Sequence, residues 1–190
     1  MKPGFEGQLI PRDDAVDLIG ALNLMKDKAH NAARQWTLLT ENGHAPATPS
    51  YTVLLQHAAD AQDLSRDVLR LTAAFAQSPH HATRDGSTVL KKLALAATAS
   101  SHAPAHFAET AEYALSLLRS TNPADRQYLS NNMVDDHATG RAYLRRTSEA
   151  LRGAAEELGD HLGFQHVLAQ LTRQEGPPVP PTPRPGGRPR

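Results

Sequence analysis

With ten histidines and no cysteine in 190 residues, imidazole is the side chain of this sequence best suited to hold a metal or move a proton near neutral pH. Two imidazoles stand in His102-Ala103-Pro104-Ala105-His106, at the four-residue spacing that stacks side chains on one face of an unbroken helix. Proline argues against that helix. Its ring clashes with the preceding turn and is best accommodated at the first helical position, which leaves His102 outside the helix and His106 in its first turn. His161 and His166 are five apart, about 140° around a helix, and do not share a face. His80 and His81 fall in a loop.

His57 and His137 differ because they lie on the apolar side of their segments. His57 is in register with Leu64, Val68, Leu71 and Phe75, and His137 with Met133, Leu144, Leu151 and Ala155. Asp60 follows His57 by one turn, and Asp136 is adjacent to His137. If the two helices face each other, His57, Asp60, His137 and Asp136 form a cluster able to bind a divalent metal or run acid–base chemistry. The competing reading is a pair of core-edge histidines satisfied by carboxylates or backbone carbonyls. No catalytic residue is identified: the sequence contains no Glu-x-x-His of dimetal carboxylate bundles, no phosphate-binding glycine loop, no Gly-x-Ser-x-Gly and no His-Glu-x-x-His.

These residues need helices to position them. From Asp13 to about Glu41, Leu18, Leu22, Met25, Ala29, Ala32, Ala33 and Trp36 recur at helical intervals. After the Asn42-Gly43 break, Thr48-Pro49-Ser50 opens a second amphipathic segment ending at Gln77, and the two pack most simply as an antiparallel hairpin. A shorter helix is expected around Ser87 to Thr98, another from Pro104 to Arg119, and a last helical region from Ala124 to Arg173. Glycines 140, 153, 159 and 163 weaken that last region, with a break expected between Gly159 and Gly163. No alternating β-branched run appears, so the expected class is all-α: an antiparallel bundle of five to six helices. The domain division is an N-terminal arm at 1–12, a bundle at 13–175 and a disordered proline-rich tail at 176–190.

Lysine plus arginine and aspartate plus glutamate each number 20, so no global field attracts the chain to nucleic acid or an anionic bilayer. The local exception is Arg141, Arg145, Arg146 and Arg152, a cationic strip that offers contacts to phosphate or nucleic acid but is followed by Glu149, Glu156 and Glu157. In the tail, Pro177, Pro180 and Pro183 fall three apart, as in ligands of a proline-recognition groove in a partner protein, but Arg184 directly after Pro183 is not at the usual basic offset of such ligands, and the competing reading is a solvated tail with weakly phosphate-seeking arginines. No apolar run reaches the length of a membrane span or signal peptide, the lack of cysteine suits a reducing cytoplasm, and the Ala/Arg/Pro usage suits a GC-rich bacterial genome. The leading expectation is a non-catalytic helical-bundle protein acting through a protein partner or self-association, without a cofactor. The rival is a bundle that binds a divalent metal or small ligand through the core-edge histidines, and nucleic-acid binding comes third.

Overall fold

The computed structural model describes residues 9–174 of the chain. Within them the chain forms four α-helices, α1 (Arg12–Gln35), α2 (Tyr51–Gln77), α3 (Arg84–Arg119) and α4 (Pro123–Gln174), with a 3-10 turn at Pro79–Ala82 and no strand. The all-α class is as expected; the count is four, against the five to six that the spacing suggests.

Two long helices account for the difference. Pro104 lies inside α3, buried with Ser100 and Ala103. A proline at this place removes one amide donor, leaving the Ser100 carbonyl without its helical partner, at a cost of roughly 3 kcal/mol. Here α3 packs along both α2 and α4, and the apolar burial on its two sides outweighs that cost. His102 is therefore inside the helix. The expected break between Gly159 and Gly163 is also absent, because Leu158 and His161 are buried on the same stretch of α4. His161 ties the stretch down: its Nδ1–H donates to Asp85 at 2.6 Å, and its Nε2 accepts from the Ile10 amide at 3.1 Å. Ile10 itself is in the core, so the end of the N-terminal arm is part of the bundle.

The packing order is α2–α3–α4–α1. α3 with α4 is the most extensive pair, followed by α2 with α3 and α1 with α4, whereas α1 and α2 barely touch. The expected α1–α2 hairpin is thus corrected. Residues 36–50 form a loop long enough to release α1 onto α4, and α1 stops at Gln35, short of Glu41. Trp36 leaves the helix in an extended conformation and its ring moves across to α2. Neighbouring pairs run antiparallel: Lys92 of α3 bonds to Glu157 of α4 at 3.1 Å, and Arg141 of α4 bonds to the Ala33 carbonyl of α1 at 2.7 Å.

Local sequence explains the helix starts. Thr83 precedes α3 and its hydroxyl accepts from the Gly86 amide at 3.0 Å, an N-cap bond. Gly86 is required, since a Cβ there would overlap the His80 carbonyl. α1 begins after Pro11 with Asp13 and Asp14 in its first turn, where carboxylates favour the positive end of the helix dipole. Leu22, Leu64, Val68, Leu93, Leu144 and Leu151 are central in a core to which all four helices contribute, and a second cluster around Leu54, Leu117 and Met133 fills the end where α3 turns into α4.

Candidate functional site: an interior histidine pair and an outer carboxylate group

Near the middle of the bundle α2, α3 and α4 bring His57, Phe107 and His137 together with Trp36. His57 stacks on Trp36, centroids 4.5 Å apart and planes 7° from parallel. Phe107 stands edge-on to Trp36, His57 and His137 at 5.1, 6.1 and 5.4 Å. The two imidazoles, His57 from α2 and His137 from α4, have ring centres 6.0 Å apart. Close packing holds the group in place: Gly140 lies one turn beyond His137, and a Cβ there would come within 3.0 Å of the Phe107 ring.

Polar atoms in this cluster are sealed without partners. Nδ1 of His57 and Nε2 of His137 are out of reach of solvent and make no hydrogen bond. Burial, the positive charge of a protonated His57 and the nearby Arg141 guanidinium together push His137 down to about 4 from an ordinary 6.5. Burial also lowers His57, against the opposing pull of Asp60. Both rings are therefore neutral at physiological pH, the state in which imidazole nitrogen is a metal ligand.

The expected set of four parts company here. His57 and His137 meet. Asp60 is exposed and accepts from Gln56 at 2.7 Å, and Asp136 turns to the outer side of α3/α4, where it accepts from His106 Nδ1 at 3.0 Å. Glu109, one turn after His106, brings a carboxylate oxygen to 3.6 Å from the same nitrogen. His106, Glu109 and Asp136 are the one group of three such donors among the described residues whose ligand atoms all lie within 4.8 Å of one another. The sequence carries a signal for this group in His106-Phe107-Ala108-Glu109, the i, i+3 pair in the reverse order to Glu-x-x-His.

The remaining expected residues are dispersed. Arg141 is committed to the α1 carbonyl of Ala33, Arg146 lies over the Tyr143 ring at 5.5 Å and Arg152 pairs with Glu156 at 3.6 Å, while Arg145 is exposed. The strip is thus divided between an interior tie and surface contacts. Pro177, Pro180, Pro183 and Arg184 lie outside the described residues. No helix among those residues is long and apolar enough to cross a membrane. Compared with models of protein families, with curated proteins and with solved structures, the chain matches none.

Proposed function

We propose that the protein is a metal-binding helical bundle, acting by binding and not by catalysis, and that its ligand is held by His57 and His137. The observation that carries this reading is the pair of sealed, partnerless nitrogens on rings 6.0 Å apart. Leaving a buried polar atom unpaired costs roughly 1–3 kcal/mol, and a single ion between the two rings recovers both. A metal–nitrogen bond of about 2 Å, plus about 1 Å from each nitrogen to its ring centre, places two ligating imidazoles roughly 6 Å apart.

Charge selects the ion. The walls are Trp36 and Phe107, both nearby carboxylates are engaged elsewhere, and Arg141 adds positive potential. Burying charge in such surroundings is costly, and the cost rises with the square of the charge. A singly charged ion with two nitrogen ligands suits the site, and copper(I) is the ion of that kind which imidazole binds well.

The test is anaerobic titration of the full, untagged chain with copper(I) in competition with a chromophoric chelator, following emission from Trp36, the chain's only tryptophan. One equivalent should bind with a change in Trp36 emission, and His57→Phe or His137→Phe should each weaken binding by at least about 100-fold, or about 3 kcal/mol. Binding that survives both substitutions, or no binding by the wild type, rejects the reading.

A further inference from the structure

We propose that His106, Glu109 and Asp136 form a second metal site, on the outer face of α3/α4, which takes a divalent ion of the zinc type. It does not depend on the interior pair. Two helices contribute: His106 and Glu109 lie three residues apart on α3, and Asp136 reaches them from α4. Four donors around a tetrahedral zinc at about 2.0–2.1 Å stand about 3.4 Å from one another. The distances from His106 Nδ1, 3.0 Å to Asp136 and 3.6 Å to Glu109, bracket that value. The side chains are 26%, 53% and 21% exposed, so the remaining coordination position opens to water.

The charge balance points the same way. With the imidazole ligating in its neutral form, the two carboxylates supply two negative charges, which a divalent ion cancels. Among the described residues, no lysine or arginine pairs with Glu109 or Asp136. Their field reaches Tyr113, whose phenol is pushed up by burial first and then by Asp136, Tyr128, Glu109 and Glu112. The imidazole is also held in place, since Tyr143 stacks on His106 with centroids 5.5 Å apart and planes 14° from parallel. A nitrogen donor sets the site apart from magnesium and calcium sites, which are built from oxygen.

A plain ion pair between His106 and Asp136 would explain the 3.0 Å contact, but it has no need of Glu109. That difference decides the experiment, which is calorimetric titration of the full, untagged chain with zinc chloride, repeated with magnesium chloride. One equivalent of zinc should bind at micromolar Kd or tighter, with magnesium at least about 100-fold weaker. His106→Ala and Asp136→Asn should each reduce zinc affinity at least about 100-fold, and Glu109→Gln, at an exposed position, at least about tenfold. His57→Phe should leave zinc binding unchanged, which separates this site from the interior one. Zinc binding weaker than millimolar, magnesium bound as tightly as zinc, or an unchanged affinity in Glu109→Gln overturns the proposal. Zinc affinity lost in His57→Phe also overturns it, by assigning the ion to the interior.

Discussion

Two pairs of successive residues, His106-Phe107 on α3 and Asp136-His137 on α4, each send one member outward and one inward. Outside, His106 meets Asp136 and Glu109 in a partly exposed group with two carboxylates. Inside, Phe107 and His137 meet His57 and Trp36 in a group with no carboxylate. The same helix pair thus makes a charged site and a neutral one a residue apart. What separates them is access to water: a carboxylate is tolerated where solvent can share its charge, and burial drives imidazole to its neutral form. The donor types follow from depth, and the ions proposed for each follow from the donor types.

The comparison predicts that the interior group holds helices together in addition to its proposed binding role, and that the outer group contributes little to the stability of the metal-free fold. Phe107→Ala removes a fully buried ring touching Trp36, His57 and His137. It should cost about 3–5 kcal/mol in a denaturant titration and abolish the copper response of Trp36. A loss below about 1 kcal/mol would mean that the aromatic cluster does not hold α2, α3 and α4 together.

Acid should act next most strongly, through the interior histidines. His137 in the folded chain titrates at about 4, below its ordinary 6.5, so the unfolded chain takes up the proton first as pH falls. Its contribution is complete above about pH 6.5 and is lost progressively down to about pH 4, by about 3 kcal/mol. Unfolding free energies measured across that range should show the decline, and His137→Phe should flatten it. A decline of equal size in the variant assigns the acid sensitivity to other groups.

The smallest effects belong to the outer group. In metal-free protein, His106→Ala and Glu109→Gln should change stability by less than about 1 kcal/mol, because partly exposed ion pairs contribute little. Melting curves with and without zinc sharpen the contrast: zinc should raise the melting temperature of the wild type and not of His106→Ala, since only a ligand that binds the folded state stabilises it.

Much of the interior is legible in residue spacing. His57 and His137 point inward because they share a helical register with leucines, and register is a property of spacing alone. Grouping Asp136 with them is an error that the same geometry exposes: neighbours on a helix point about 100° apart, so an inward His137 sends Asp136 elsewhere. Its actual partner is hidden by Pro104, which makes the segment from His102 to His106 look like a helix start. His161 offers no signal, since its partners Asp85 and Ile10 are 76 and 151 residues away in sequence.

Composition and periodicity by themselves determined the all-α class, the apolar stripes and the inward facing of the two histidines, since each rests on interactions within a few turns of one helix. Tertiary structure decided the rest. It fixed α1 against α4 because the loop at 36–50 leaves the pairing of α1 open. It kept α3 whole through Pro104 because packing on two sides outweighs one lost backbone bond. It brought Asp136 to His106 and Glu109 because that contact depends on how two helices are rotated against each other, which the spacing within either one does not specify.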